Sequence, residues 1–492
     1  MTRSGEEYIA SLRDGRSVIL DGERVDDVTT HPAFAEAIRS VARLYDIAHN
    51  PATREIMTYP SPRDGRPVNK AWLIPRSRED LAARRVAIKT WADATYGLMG
   101  RSPDHVASFF AGFAGGLETF ARGGQQFAEN LRRFYEKARD EDLYLSYTIT
   151  PLTVDRSKPA HQQPEPHLYA SVVEERDGGI VLGGAQMLGT GSVMSDYIFV
   201  SCILPLKPGD EDYAISVVVP NNARGLKIYT RRPYALGATS VFDYPLSSRF
   251  DETDSIIVFD NVFVPWEQVF VYRNLEVTLA QFTETPAHQL GNCQAQIRLV
   301  SKLQFLAGLA KRLCDVTGNT QDPKIQERLG EIAAQAAIPE AFVLASEAAC
   351  VTDKNGVVRP HPQMLYSAMT LQPTLYNQLI FALRDLCGGS VIQVPSSVAS
   401  FRNPENAADL ARYVRWPGAS AEERIKLLKL TWDFVGSEFA GRHLQYEMFY
   451  AGQSAVVKGR SYRAYQWDDA LRLVDHCLKS YDALSGGSRE LP

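Results

Sequence analysis

The sequence predicts an α+β fold in three parts: an N-terminal helical domain, a middle antiparallel β domain and a C-terminal helical bundle. Apolar residues recur at helical spacing towards both ends of the chain. Short β-branched and aromatic runs crowd its centre, with Gly, Pro, Asn and Asp between them. The three parts are placed at residues 1–138, 139–273 and 274–492.

In the first part, Ser77 with Asp80 forms a capping-box pattern ahead of LAARRVAIKTWADATYGLM. Ser102-Pro103-Asp104 marks a fresh helix start, with Ser102 as N-cap and Pro103 at the first helical position. The runs LYASVV, GIVLGG, YIFVSCILP, AISVVVP, LKIYT and SIIVFDNVFVPW are expected strands of a sandwich or barrel. RLVSKLQFLAGLAKRLCDV and AEERIKLLKLTWDFVGSEFAG then return to helical spacing, and Ser420 with Glu423 is a second capping-box pattern.

A length of 492 residues allows two or three packed units. Apolar residues make up 45% and charged residues 23%, as in soluble globular chains. A formal charge of −5 gives no reason to expect nucleic acid or an anionic membrane as partner. No apolar run approaches the ~20 residues of a membrane span. The opening MTRSGEEYIASLRDG lacks an apolar signal core. Cys202, Cys293, Cys314, Cys350, Cys387 and Cys477 are scattered and form no CxxC, which suits a cytoplasmic location. His31, His49, His161, His167, His361, His443 and His476 form no convincing ligand set, so no metal site is expected.

No GxGxxG fingerprint is present: Gly189-Thr190-Gly191 lacks a third glycine at the required spacing. P-loop, HExxH and GxSxG motifs are also absent. A flavin would have to bind outside a Rossmann domain, through scattered contacts.

Four segments resemble the 4-hydroxyphenylacetate 3-monooxygenase family. They are GEEYIASLRDGRSVILDGERVDDVTTHPAF, MGRSPDHVASFFAGF, DYPLSSRFDETDSIIVFDNVFVPWEQVFVYR and GSEFAGRHLQYEMFYAG, and together they span nearly the whole chain. The resemblance implies an acyl-CoA-dehydrogenase-like fold whose helical bundle assembles into a homotetramer. It implies the oxygenase component of a two-component system, with reduced FAD diffusing from a separate NAD(P)H:flavin reductase. Oxygen would add to the flavin, and the distal oxygen of a C4a-hydroperoxide would pass to a ring carbon of a small phenolic substrate. Such chemistry needs a dry pocket, a cation or donor for phenolate, and a base.

The resemblance places Arg101 at the active site. The residue precedes the Ser102 N-cap, where helix amides favour an anion. Without the resemblance, a surface arginine paired with Asp104 would be the simpler reading. The hydroxyphenylacetate enzymes carry a tyrosine four positions after this arginine, and a histidine nine before the arginine of a downstream xDR motif. Here those positions are His105 and, counted back from Arg156, Tyr147. The swap argues against hydroxyphenylacetate as substrate. A tyrosine of pKa near ~10 is a poor base at neutral pH, whereas histidine near ~6.5 is well placed. His288, in TPAHQLGNCQAQIRL, is similar to the proton-abstracting histidine of the chlorophenol and nitrophenol monooxygenase branch. A loop or helix-cap histidine is the alternative.

His105 would contact substrate, stand behind it, or serve only as a first-turn helical residue. Tyr147 would line the pocket. Cys202, Ile203 and Leu204 lie in a loop expected to close over substrate, and Phe449 would border it. The resemblance carries FAD contacts to Thr153, Arg156, Thr190, Arg231, Asp251, Tyr450, Ala451 and Gly452; an arginine fork suits pyrophosphate. Gly388-Gly389 would either approach a neighbouring subunit's cofactor or end a helix. Simple phenol, halophenols, nitrophenols, 4-hydroxyphenylacetate and a biosynthetic phenol all stay open as substrates. An acyl-CoA dehydrogenase or dehydratase is the rival of another class, and the few cysteines near Arg101 and His288 speak against an iron–sulfur cluster.

Overall fold

The computed structural model describes residues 2–152, 154–238 and 240–480. Helices, two central sheets and helices follow one another along the chain. In the first part, Arg78–Ala94 starts at the expected capping box: Ser77 Oγ accepts from the Asp80 amide and the Asp80 carboxylate accepts from the Ser77 amide. Pro103–Ala114 begins after Ser102. Ser102 Oγ, however, caps no amide and donates to Asp104 Oδ1 at 2.6 Å.

The larger sheet has seven strands. Its order is Glu23–Val25, Val18–Leu20, Leu226–Thr230, Ser255–Pro265, Gly179–Met187 and Thr150–Pro151, with Ser171–Arg176 also paired to Gly179–Met187. The smaller sheet runs Val269–Val271, Ser216–Pro220, Tyr197–Ser201 and Leu145–Thr148. Besides helices and a separate two-stranded sheet, Thr58–Pro60 with Pro67–Asn69, the first 138 residues supply two strands to the larger sheet, Val18–Leu20 and Glu23–Val25. Each has three residues, too short for alternation to register, but Asp21-Gly22 between them, both at positive φ, is a hairpin signature.

The expected all-antiparallel pairing needs correction. Val18–Leu20 runs parallel to Leu226–Thr230, and Leu145–Thr148 runs parallel to Tyr197–Ser201. In both pairs the partners are far apart in sequence, which leaves chain enough for the crossover a parallel pair requires.

In the C-terminal part, Ala287–Thr317 is the central helix, packed against Pro103–Ala114, Pro323–Ala348 and Pro362–Cys387. The AEERIKLLKLTWDFVGSEFAG run is two helices rather than one, Ala421–Val435 and Glu438–Phe449. The chain breaks at Gly436, and Ser437 caps the second helix by accepting from the Ala440 amide. Among the described residues, no helix is long and apolar enough to cross a membrane.

Candidate active site

The site forms where Pro103–Ala114 and Ala287–Thr317 pack antiparallel. Gly112 meets Ala287, Gly291 meets Phe109, and His105 meets Gln294. The approach is close because two contacts lack side chains. A Cβ at Gly112 would lie 2.2 Å from the Ala287 backbone, and one at Gly291 would lie 2.0 Å from the Phe109 ring.

Arg101 stands at one end of this contact, half-buried. Its amide donates to Glu252 Oε1, and its carbonyl accepts from Tyr144 Oη at 2.5 Å. The guanidinium donates to His105 Nε2 and lies over the rings of Tyr450 and Tyr147, at 4.5 and 4.6 Å. Burial disfavours the charge, but the oxygens of Tyr147, Tyr446 and Tyr450 outweigh it and hold the Arg101 pKa above its ordinary value. It does not pair with Asp104, whose carboxylate accepts from Ser102 and from Gln294 Nε2 at 3.1 Å.

His105 is buried, with Nδ1 2.9 Å from Gln294 Oε1. Burial, and then the charge of Arg101, push its pKa well below the ordinary histidine value. Its ring lies 5.5 Å from Tyr147 and 5.3 Å from Phe109. Tyr147 and Ile203 pack against a buried cluster that includes Phe109, Ala287 and Leu290, forming an apolar wall. Cys202 is buried just beyond the Tyr197–Ser201 strand, its Sγ 3.6 Å from the Leu204 carbonyl.

His288 occupies the first turn of Ala287–Thr317, about 9 Å of helix rise from Gln294. Its ring is 5.7 Å from that of Tyr366. Burial, and then Arg460, push its pKa well below the ordinary value. Its Nδ1 is buried and has no hydrogen-bond partner among the described residues. The structure brings His105, Tyr147 and Tyr450 onto Arg101 and records no contact between any of these and His288.

The residues expected at the cofactor separate into groups. Thr190 Oγ1 donates to Asp254 Oδ1 at 2.7 Å. The Gly191 amide donates to the Glu252 carbonyl, while the Glu252 carboxylate holds the Arg101 amide, so the Thr190 turn and Arg101 share one support. Arg231 is engaged by Asp251 and Asp254. Arg442 binds Asp254 at 2.8 Å and Glu252 at 3.4 Å. Burial opposes ionisation of Asp254, but Arg442 and Arg231 hold its pKa well below the usual carboxylate range. Arg156 is exposed, with no acidic partner recorded among the described residues. Thr153 lies outside the described residues.

Phe449 ends its helix at 49% exposure, Tyr450 and Ala451 are buried, and Gly452 turns at φ 112°. Tyr450 Oη lies 2.6 Å from the Gly100 carbonyl. Gly388, at φ 53°, ends the Pro362–Cys387 helix.

Sequence reasoning missed the cluster behind Tyr450. Glu447 takes Arg298 and Lys302, each at 2.8 Å, and Lys302 also meets His443 Nδ1 at 2.9 Å. Arg298, Lys302 and Glu447 are each at most 1% exposed. Burial lowers Lys302 to about 7. Burial would raise Glu447, but Arg298 and Lys302 hold it at about 2. Arg298 also lies 4.9 Å from the Tyr450 ring, so it and Arg101 both sit over one phenol. The signal in the sequence was Arg442, Tyr446 and Tyr450 at four-residue spacing, together with Gln294, Arg298 and Lys302 at the same spacing in the 287–317 segment.

Two family profiles match the chain. The 4-hydroxyphenylacetate 3-hydroxylase N-terminal profile covers residues 4–271 and the C-terminal profile covers residues 279–479. The chain is 39% identical over 457 residues to a Streptomyces globisporus monooxygenase of carrier-protein-linked (3S)-3-amino-3-(3-chloro-4-hydroxyphenyl)propanoate, covering 91% of this chain and 85% of that protein. It is 35% identical over 503 residues to the oxygenase component of 4-nitrophenol 2-monooxygenase from Rhodococcus sp., covering 97% and 92%. The crystal structure of a 4-hydroxyphenylacetate 3-monooxygenase oxygenase component complexed with FAD and 4-hydroxyphenylacetate overlays with a TM-score of 0.92 at 32% identity, covering 97% and 98%. The fold is acyl-CoA-dehydrogenase-like. The chain belongs to the 4-hydroxyphenylacetate 3-hydroxylase family and is a flavin-dependent monooxygenase.

Proposed function

We propose that this chain is the oxygenase component that hydroxylates a small phenol, halophenol or nitrophenol, with halide or nitrite leaving when the attacked carbon carries one. The observation that carries this reading is the unpartnered, buried Nδ1 of His288. Both ring nitrogens of His105 are already engaged, by Arg101 and Gln294. His288 therefore has the spare capacity to take a phenol proton, in the manner of the nitrophenol branch.

The residues present fit FAD. Thr190 stands beside Arg101, exposed Phe449 offers an aromatic face, and the Arg156 fork, with no acidic partner among the described residues, suits phosphate. Tyr450, Ala451 and Gly452 would border the cofactor. Arg231 and Asp251 neutralise each other and would shape the cofactor's surroundings. Reduced FAD, once bound, supplies with O2 the oxygen atom that is transferred.

The protein's own residues do the rest. Phe109, Leu290, Ile203 and Tyr147 enclose the ring and exclude water. His288 accepts the phenol proton, and the resulting phenolate is the electron-rich form that attacks. Arg101, fixed in its tyrosine cage, steadies negative charge at the oxygen-transfer end.

A separate reductase as FADH2 donor is supported by the two-component relative. A homotetramer is supported by uncovered apolar side chains: Trp467–Lys479 buries no residue yet carries Leu471, Val474 and Leu478, and Phe381 of the Pro362–Cys387 helix is likewise exposed. Six free cysteines accord with the cytoplasm.

A second reading, a biosynthetic phenol, draws on the carrier-linked substrate of the Streptomyces globisporus relative. An acyl-CoA dehydrogenase would need a free carboxylate base, whereas Glu252 and Glu447 are both held by arginines.

A substrate panel tests the reading. With chemically reduced FAD and oxygen, simple, halogenated and nitrated phenols should be hydroxylated faster than 4-hydroxyphenylacetate. The reverse order would overturn the assigned branch.

A further inference from the structure

We propose that Asp104 and Gln294 are positioning residues that lock His105 in the tautomer with its proton on Nδ1, and through it orient Arg101. The lock follows from donors and acceptors that cannot exchange roles. A guanidinium carries donors only, so His105 Nε2, which faces Arg101 Nη1, must present a lone pair. The ring proton is then on Nδ1, 2.9 Å from Gln294 Oε1. An amide can be turned end for end, so something must hold its oxygen towards His105. Asp104 does so. Its Oδ1 accepts from Gln294 Nε2 at 3.1 Å and from Ser102 Oγ at 2.6 Å. Burial raises the Asp104 carboxyl to about 6; above that it is a carboxylate and only accepts, so the amide nitrogen must face it.

Tyr450 is consistent with this polarity. Its hydroxyl lies 2.6 Å from the Gly100 carbonyl, 3.0 Å from Gln294 Oε1 and 3.0 Å from His105 Nδ1. The single phenolic proton goes to a carbonyl oxygen, which leaves the oxygen facing the Nδ1 proton. The chain Asp104, Gln294, His105, Arg101 therefore runs in one direction. If the imidazole turned to its other tautomer, two N–H groups would face each other and drive the guanidinium off Tyr147 and Tyr450.

The charged and titratable groups facing this chain come from every neighbouring element. Arg101 precedes the Pro103–Ala114 helix, and Arg298 lies on Ala287–Thr317. Tyr147 lies on Leu145–Thr148, and Tyr450 follows Glu438–Phe449. Arg84, on Arg78–Ala94, reaches the Asp104 carbonyl through Ser108. None of them supplies an acceptor that could replace Asp104 behind Gln294.

The test is nitrogen NMR of the full chain with 15N-labelled histidine, free of FAD and substrate. The His105 signals are assigned by their loss in His105→Asn. The wild type should show a protonated Nδ1 and a lone-pair Nε2 between pH 7 and 8, where Asp104 is ionised. Asp104→Asn, whose amide permits Gln294 to turn, and Gln294→Met, which keeps bulk without an acceptor, should each show a mixture of tautomers. Each should also lose about tenfold in hydroxylation rate, the scale of one misaligned hydrogen bond. Wild-type His105 protonated on Nε2 overturns the lock, as does retention of the wild-type signals in both variants. The inference rests on Arg101 serving the proposed reaction, but the tautomer is read without substrate. A locked His105 in a protein that hydroxylates no phenol would sink the reaction and leave the lock standing.

Discussion

Arg101 and His105 form a donor–acceptor pair, the guanidinium giving an N–H to Nε2 while Tyr147 and Tyr450 hold its faces at 4.6 and 4.5 Å. Shape as well as charge is fixed here. Arg101→Lys keeps the charge but loses the planar fork and its stacking. Hydroxylation should fall about 10²-fold, as when one pre-aligned donor is removed from an active site. Turnover with reduced FAD measures this, and a wild-type rate in the variant would contradict the role given to Arg101.

His288 should show its role through pH. Burial and Arg460 depress its pKa, which keeps the ring neutral at neutral pH with a lone pair to accept, but makes it a weaker base than a free histidine. For a phenol of pKa near ~10, His288→Ala should slow hydroxylation by about 10²- to 10⁴-fold at pH 7. The defect should close as pH rises and the phenol ionises by itself. A defect constant across pH would assign His288 to structure rather than proton transfer.

Glu447 is the counter-charge to two buried cations. Glu447→Ala leaves Arg298 and Lys302 unpaired, at a cost of about 3–5 kcal/mol. Denaturant unfolding should show that loss. The sign with pH follows from the depressed carboxyl. Its stabilisation is present above the ordinary value of 4.5 and is lost as pH falls towards about 2. In Glu447→Gln this part of the acid sensitivity should vanish; an unchanged acid-unfolding curve would show that Glu447 contributes none of it.

Gly291→Ala tests the close packing of the two helices. Its Cβ would fall 2.0 Å from Phe109, which itself packs on His105 and Tyr147. Overpacking should cost about 1–3 kcal/mol and raise KM for phenol by shifting the apolar wall. A variant with wild-type stability and KM would show that the helices separate freely.

The three-part order of the fold was legible because helix and strand periods differ. The short strands Val18–Leu20 and Glu23–Val25 were not, since three residues carry no period, and neither were the two parallel pairs, which depend on partners far away in sequence. In the site, the resemblance led to Arg101, and the helix-start pattern placed it at a helix N-terminus. Its hydrogen-bonding to His105 and its stacking on Tyr450 needed coordinates. The resemblance carried both Arg231 and Asp251 to the cofactor; that the two pair with each other, and Arg231 also with Asp254, needed coordinates. Gln294 was passed over because it is one of several amides in its helix, with Gln289, Asn292 and Gln296, and nothing in the sequence singles it out.

The most direct measurement mixes the full chain with stoichiometric reduced FAD, oxygen and a phenol, and compares hydroxylated product with hydrogen peroxide after a single turnover. The expected result is mostly hydroxylated phenol from the wild type, and mostly peroxide from Arg101→Lys and His288→Ala at pH 7. Peroxide alone from the wild type with every phenol would contradict the assignment of this site to phenol hydroxylation.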